Sequence, residues 1–317
     1  MNLQRLAQHA AEGVPWMVSW QCTLACNLRC RHCYSASGEK LPREMGTDEA
    51  KKLIDELAEM GVMMFVFSGG EPLLRKDLFD LIQYATLKGM IPGIGTNGTL
   101  IDDMAIEKLK RSGVRYLLVS LDGASAKTHD KVRGVQGAFD KAVNGIEASV
   151  KAGLPVIIAT TIMNSNYEEI PAILELSVKL GAAMFNTFDI IPCGRGMEIF
   201  RTEDVTPQER EELLNYLYKK SQELRGRIVI GRFDYTIWSR ILLTNIQKEN
   251  PAAYQRMLHV CTAIGGCSAG RWRASITPDG VVWPCSYLPI DVGNVREKSF
   301  REIWSESEVL KDLRNIE

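Results

Sequence analysis

Cysteines carry the first chemical signal in this sequence. Cys26-Asn27-Leu28-Arg29-Cys30-Arg31-His32-Cys33-Tyr34 places three thiols within eight residues, just after a short apolar run. Thiolates this close, on a loop able to wrap a soft metal centre, suit an iron–sulfur cluster or zinc. Ligand number separates the two. A closed structural zinc site takes four ligands, so His32 or Cys22 would have to supply the fourth. Three thiolates on a four-iron cluster instead leave one iron open to another ligand. A second signal is Ser68-Gly69-Gly70-Glu71-Pro72, whose glycines allow close backbone approach and whose glutamate can receive an ammonium group. Cys261, Cys267 and Cys285 form a later set, with separate buried thiols as the alternative reading. Cys22 reads as structural. Cys193, in Ile191-Pro192-Cys193-Gly194-Arg195-Gly196, reads either as facing a substrate or as bystander packing, and His32 reads as an exposed loop residue.

The elements that must position these residues follow from patterning. Apolar, β-branched or aromatic runs at 16–21, 62–67, 91–95, 115–120, 155–161 and 184–189 predict strands. Helical patterns lie between them near 48–60, 77–88, 101–112, 137–152 and 167–180. Thr47, followed by Asp48 and Glu49, is expected to cap the first of these helices. Gly61, Gly89, Gly113, Gly153 and Gly181 each follow a helical run, where positive φ ends a helix at low cost. Six strands alternating with helices imply a parallel sheet covered by helices. Six units are too few for an eight-fold barrel, which leaves a partial (β/α)6 barrel or an open doubly wound sheet. Thr206-Pro207-Gln208-Glu209 carries a capping-box pattern and starts a helix over 207–224. The pattern then changes. A mostly helical stretch at 234–258 is broken or restarted at Pro251, and a hairpin turns at Pro278-Asp279-Gly280. A last helix falls near 306–315. The expected domains are 1–225, the α/β partial barrel, and 226–317, a small auxiliary region containing the β-hairpin.

Bulk composition narrows the function classes. The chain has 317 residues, 38 basic and 39 acidic side chains and 45% hydrophobic residues, an ordinary globular balance. A formal charge of −1 gives no general attraction to phosphate, so no nucleic-acid partner is expected. No apolar run is long enough to span a bilayer and no signal peptide is visible, so a cytoplasmic protein without a membrane partner is expected. In reduced cytosol the eight cysteines are expected to bind metal or do chemistry rather than form disulfides.

Cys-x3-Cys-x2-Cys followed by an aromatic, at the end of the first strand of a repeated β/α unit, resembles the signature of the radical S-adenosylmethionine (SAM) superfamily. The resemblance covers essentially the whole chain. It implies that Cys26, Cys30 and Cys33 hold a [4Fe–4S] cluster, that SAM chelates the fourth iron, and that Tyr34 lies beside both. Gly69-Gly70-Glu71-Pro72 matches the family's motif for the SAM amino group. Ser120 and Arg133 match positions used for the SAM carboxylate and ribose, with Asn97 and Asp122 as further polar contacts. The alternatives are a positive-φ turn residue at Asn97 and a helix cap at Asp122. The implied reaction is reductive cleavage of SAM to a 5′-deoxyadenosyl radical that abstracts hydrogen from a substrate carbon. A low-potential donor such as ferredoxin or flavodoxin supplies the electron.

Cys267-x12-Gly280-x4-Cys285 resembles the opening half of the SPASM extension, and implies an auxiliary iron–sulfur cluster held by Cys261, Cys267 and Cys285. That pattern continues with C-x2-C-x5-C-x3-C, whereas the sequence ends at Asn315-Ile316-Glu317. This reads either as a shortened variant whose auxiliary cluster keeps an open iron, or as a chain truncated at its C-terminus. Ile191–Gly196, Gly265–Cys285 and the Gly293–Ser307 stretch GNVREKSFREIWSES together resemble radical SAM proteins of haem d1 and alternative haem biosynthesis. Those proteins act on propionate and acetate groups of a tetrapyrrole, and Arg271, Arg273 and Arg296 could meet such carboxylates. A maturase acting on a ribosomally made peptide is the second reading. The roughly fifteen residues before the first strand are too few for a leader-binding domain, which favours the tetrapyrrole. An iron–sulfur electron carrier without SAM turnover is the third, opposed by the Gly-Gly-Glu-Pro turn and the Ser120/Arg133 pair.

Overall fold

The computed structural model describes residues 13–232, 235–264 and 266–315. One nine-stranded sheet runs through it in the spatial order β7-β6-β5-β4-β3-β2-β1-β8-β9. The strands are β1 (Met17–Thr23), β2 (Met64–Gly69), β3 (Ile91–Thr96), β4 (Tyr116–Ser120), β5 (Val156–Ile162), β6 (Met184–Asp189), β7 (Val229–Arg232), β8 (Arg273–Ile276) and β9 (Val282–Trp283). All neighbours pair parallel except β9, which turns back antiparallel to β8. The crossover helices are α1 (Thr47–Glu59), α2 (Leu78–Leu87), α3 (Asp103–Ser112), α4 (Ala126–Arg133), α5 (Ala138–Lys151) and α6 (Ile170–Lys179). After β6 come α7 (Gly196–Glu203), α8 (Pro207–Glu223), α9 (Tyr235–Glu249), α10 (Pro251–Ile264), α11 (Phe300–Glu306) and α12 (Glu308–Arg314).

Two-residue alternation along the strands decides which side chains reach the site. Val18, Trp20 and Cys22 of β1, Phe65 and Phe67 of β2, Leu117 and Val119 of β4, and Val156 and Ile158 of β5 join the main apolar core. Their neighbours face the other way. Ser19, Val66, Ser68, Gly95, Leu118, Ser120, Ile157, Ala159 and Met184 line an internal cavity of ≈ 340 Å³. A parallel sheet that curls around a cavity while its two edge strands stay unpaired to each other is a partial barrel, which settles the choice against a flat doubly wound sheet.

Most expected elements are present, with informative differences. Thr206 and Glu209 exchange their capping-box hydrogen bonds at the start of α8, and Pro251 opens α10 after α9 ends at Glu249. The five helix-ending glycines all have positive φ. Thr47 does not cap α1. Gly46 is the N-cap, and the Thr47 hydroxyl donates instead to Asp77 Oδ2 (2.7 Å), tying α1 to the turn before α2. β7 lies past residue 225 and continues the barrel sheet beside β6. Its four residues are too short a run to show alternation in sequence. The hairpin is also part of that sheet, because β8 pairs with β1 in the register Met17↔Arg273 to Trp20↔Ile276.

Candidate active site

The cysteine loop leaves β1 at Thr23 and is gripped from three other strand ends. At its base, the Gly70 amide donates to Thr23 O (2.7 Å) and the Glu71 amide to Ala25 O (2.8 Å). The approach is so close that a Cβ on Gly70 would lie 2.2 Å from Ala25 O, which explains a glycine at the end of β2. In its middle, the amides of Arg29 and Arg31 donate to Arg133 O (3.1 Å) and Val132 O (3.0 Å) at the end of α4, the helix that follows β4. At its far end, the turn after β6 takes hold. The Arg195 amide donates to Cys33 O (3.0 Å), and its guanidinium donates from Nε to Cys30 O (2.8 Å) and from Nη1 to Ser37 O (2.9 Å). Gly194 lies against the same carbonyl, where a Cβ would come within 2.4 Å of Cys33 O.

Held this way, Cys26, Cys30 and Cys33 all face the cavity as free thiols. Burial pushes the Cys26 and Cys30 thiols up, although the Arg133 guanidinium opposes it at Cys30, with Nη1 3.6 Å from the sulfur. Burial also raises Cys33, but hydrogen bonds from Ser35 and the Ser37 amide, with the Arg195 cation, outweigh it and leave a net downward shift. Among the described residues no three such side chains converge on a single-ion site. Three thiols ringing a common space fit the wider spacing of a polynuclear cluster. The alternative zinc ligands are engaged otherwise. Cys22 is fully buried in the core, its thiol pushed up to about 12 chiefly by burial. His32 turns its Nε2 toward Asp122 Oδ2 (3.5 Å).

Of the residues expected around SAM, Tyr34, Gly69, Gly70, Asn97, Ser120 and Arg133 line the cavity with the three thiols. Glu71, Pro72 and Asp122 are not on its wall. Glu71 is fully buried behind it and its carboxylate is occupied: Oε1 accepts from Leu73 N (3.1 Å) and Thr96 Oγ1 (2.8 Å), and Oε2 from Asn97 N (2.8 Å). Burial pushes its carboxyl up against those three donors. Glu71 therefore joins the ends of β2 and β3 instead of reaching inward with its side chain. Asn97 has no positive φ; Ala36 alone does among the described non-glycine residues. Its Nδ2 donates to Asn27 Oδ1 (2.8 Å) and its Oδ1 accepts from Thr99, so it braces the cysteine loop from β3. Asp122 is not a helix cap either. It is wholly buried, accepts from the Thr161 amide (2.8 Å), and pairs with Arg133 Nη2 (2.6 Å). Burial raises its carboxyl, but Arg133, His32 and His129 together hold it low.

His32 overturns its expected exposure. It lines the cavity with a side chain only 11% exposed, and burial first of all lowers its pKa to about 4. Asp122, His129 and Arg133 lie within twelve residues of one another, but His32 joins them from ninety residues away, a contact with no local sequence signature.

The strap after β9 adds Ser286 and Tyr287 to the cavity wall. Ser286 bonds Ser19 (3.2 Å) and Ser275 (3.1 Å), and Tyr287 meets Tyr34 edge to face, with ring centroids 5.2 Å apart. Cys193 donates its thiol to Tyr287 O (3.3 Å), so it holds this strap. Cys285 is buried at the end of the hairpin, its thiol raised chiefly by burial and, to a lesser degree, by the charge of nearby Cys267, which is exposed. Cys261 is buried on the last turn of α10. Sequence reasoning missed roles for Arg195, Tyr287 and Tyr116, which also line the cavity. Only Arg195 carried a signal, in the glycines on either side of it.

Fold and site together define a partial-barrel enzyme that holds three cavity thiols beside a glycine turn, and comparison with known proteins makes the class specific. Residues 20–177 match the Radical SAM superfamily, and 267–317 match the SPASM family, described as an iron–sulfur cluster-binding domain. The chain belongs to the radical SAM superfamily, with a SPASM region, and its cofactors are a [4Fe–4S] cluster, SAM and auxiliary iron–sulfur. It is 39% identical to the AdoMet-dependent heme synthase of Methanosarcina barkeri over 97% of this chain and 87% of that protein. It is 31% identical to mycofactocin maturase MftC of Mycolicibacterium smegmatis, over 98% of this chain and 76% of that protein. In fold it is similar to SuiB of Streptococcus suis, solved bound to S-adenosylmethionine, with a TM-score of 0.77 and 16% identity, over 98% of this chain and 72% of that one. No described helix is long and apolar enough to cross a membrane.

Proposed function

We propose that this radical SAM enzyme modifies the carboxylate side chains of a tetrapyrrole in haem-type biosynthesis. The observation that carries the reading is the similarity to a heme synthase along nearly the whole chain, barrel and C-terminal region alike. Cys26, Cys30 and Cys33 would hold the [4Fe–4S] cluster, and Cys261, Cys267 and Cys285 the auxiliary one. SAM would lie along Tyr34, Gly69, Gly70, Asn97, Ser120 and Arg133. Glu71, Pro72 and Asp122 act from behind that wall, by fixing the strand ends and Arg133. When bound, the reduced cluster and SAM supply a 5′-deoxyadenosyl radical able to take hydrogen from an unactivated carbon.

The chain's own contribution is orientation and exclusion of water. Val66, Leu118, Ile157, Met184 and Phe188 give the cavity an apolar belt that disfavours water beside the reacting atoms. Arg133 and Arg195 place fixed positive charge beside the Cys30 and Cys33 thiolates, which offsets their burial in a low dielectric. Within this reading residues 1–225 do the radical chemistry and 226–317 bear the auxiliary cluster, in a cytosolic protein served by ferredoxin or flavodoxin.

The test is isotope transfer. Anaerobic holoenzyme, reduced with dithionite and given SAM and iron coproporphyrin III deuterated on its propionates, should place deuterium in 5′-deoxyadenosine and change the porphyrin's mass. The similarity to MftC favours the second reading, a peptide maturase. Mass change in a short peptide, with no deuterium transfer from any tetrapyrrole, would overturn the first in its favour.

A further inference from the structure

Three arginines of the C-terminal region could meet a carboxylate, and the fold separates them. Arg296 is committed to the surface, with Nε and Nη2 on Glu49 and Nη1 on Arg43 O and Asp279 O. Arg271 lies in the turn before β8 and is not on the cavity wall. Arg273 is. Its place follows from the sheet: β8 lies beside β1 with Arg273 level with Met17, so alternation turns both side chains inward.

This puts Arg273 level with the first residue of β1, at the end of the barrel away from the cysteine loop, which leaves β1 at its other end. Tyr116, the first residue of β4, lines the same cavity. Its ring lies over Gly93 of β3, where a Cβ would fall 2.3 Å from the ring and 2.6 Å from the hydroxyl, so a glycine there lets the phenol extend across the interior. Burial raises the Tyr116 phenol and the Arg273 cation opposes that, so the two feel one another across the cavity. The other two cavity arginines are spent at the cysteine end, Arg133 on Asp122 and Cys30 and Arg195 on loop carbonyls. Arg273 also donates to Cys285, which keeps its guanidinium anchored between the hairpin and the cavity.

We propose that Arg273 and Tyr116, carried on the first positions of β8 and β4, form a carboxylate-binding subsite on the cavity wall, and that this subsite selects a substrate bearing a carboxylated side chain. An arginine offers a planar fork of donors to a carboxylate, and a phenol adds one O–H donor to the same oxygens. A carboxylate fixed there holds the rest of the molecule against the apolar belt and directs it toward the thiol end. The subsite rests on the tetrapyrrole reading above, and its test separates the two.

The probes are iron coproporphyrin III and its tetramethyl ester, titrated into anaerobic holoenzyme by absorbance, with the acid-to-ester affinity ratio as the readout. Wild type should favour the acid. Arg273→Gln should reduce the ratio by about 10–100-fold, Arg273→Lys by less, and Tyr116→Phe by about 3–10-fold. A ratio unmoved in all three variants, or a wild type that binds acid and ester alike, overturns the subsite and leaves the tetrapyrrole reading standing. A wild type that binds neither overturns both. Because Arg273 touches Cys285, iron content is measured on each variant; if Arg273→Gln loses iron, the ratios of Arg273→Lys and Tyr116→Phe decide.

Discussion

Cys26, Cys30 and Cys33 sit on a loop held by backbone from the ends of β2, β4–α4 and β6, so distant parts of the chain converge on the eleven residues from Thr23 to Cys33. Cys267 and Cys285 sit at one edge of the sheet, where the hairpin is joined only to β1, and one of the two thiols is exposed. The centre that must meet SAM is thus tied by hydrogen bonds from several strand ends, while the auxiliary region joins the sheet through β1 alone and packs Ile276, Val282, Phe300, Ile303, Trp304 and Leu310 into the main core. Hydrogen bonds from separate segments thus concentrate where a radical must be aimed, whereas Cys267 lies exposed at the edge.

Removing a thiol from each region breaks the comparison most sharply. Cys30→Ala should cut 5′-deoxyadenosine formation by at least about 100-fold, since loss of even an outer-shell partner typically costs 10–100-fold. Cys285→Ala should lower it far less while removing iron of its own. Iron and sulfide counts beside product yield check this; equal losses in both variants would mean that the two regions are one cooperative metal unit.

Arg195 tests the clamp itself. Arg195→Ala removes two charge-assisted hydrogen bonds to carbonyls of the cysteine loop, a loss on the order of 3 kcal/mol. The expected readouts are a lowered midpoint of thermal unfolding and a changed electron paramagnetic resonance spectrum of the reduced cluster. Arg195→Lys, which keeps the charge but cannot reach both carbonyls with a planar fork, should restore only part of each. An unchanged spectrum would show that the amide grip of residue 195 is enough.

Glycine substitutions extend the contrast. At Gly70 a methyl would collide with Ala25 O at 2.2 Å, backbone against backbone, at a cost of about 1–3 kcal/mol. At Gly280, in the hairpin turn at φ +94°, the nearest atom is Asn294 Oδ1 at 2.7 Å, the end of a side chain that can move, so mainly the positive-φ penalty of about 1 kcal/mol remains. Denaturant melts of Gly70→Ala and Gly280→Ala should rank in that order. The reverse order would place the greater rigidity at the edge.

Local chemistry was legible in the sequence, and contacts between distant segments were not. The three-cysteine loop, the Gly-Gly-Glu-Pro turn and the capping box at Thr206 each lie within a few residues, where type and spacing carry the information. Glu71 is harder to read, because a buried carboxylate accepting from Leu73, Thr96 and Asn97 looks identical in sequence to one that receives a ligand. His32 misled for a related reason: its burial depends on Asp122 and Arg133, roughly a hundred residues on. Arg195 was invisible as a clamp because its acceptors are main-chain carbonyls, which every residue possesses. β7 was missed because a four-residue strand has too few positions to display a period.

The smallest effect lies on the surface, where α1 meets the C-terminal segment. Arg296 grips Glu49 with Nε on Oε1 (2.7 Å) and Nη2 on Oε2 (3.0 Å). The hydrogen bond from Arg296, followed by the one from the Gly46 amide, lowers the Glu49 carboxyl from 4.5 to about 2. Between those two values the unfolded chain binds a proton that the folded chain does not. Stability from this pair is therefore complete above about pH 4.5 and is lost as pH falls toward about 2. Both side chains remain in contact with water, so the pair is worth less than about 1 kcal/mol. Glu49→Gln keeps an acceptor for the Gly46 amide but cannot titrate, so its stability should fall less steeply with acid than that of wild type over this window. Urea melts at pH 4.5 and pH 3 measure the difference in slope. Parallel slopes would mean that the Glu49–Arg296 pair contributes no pH-dependent stability, and that the C-terminal segment is held against α1 by β8–β1 pairing and the burial of Phe300, Ile303 and Trp304.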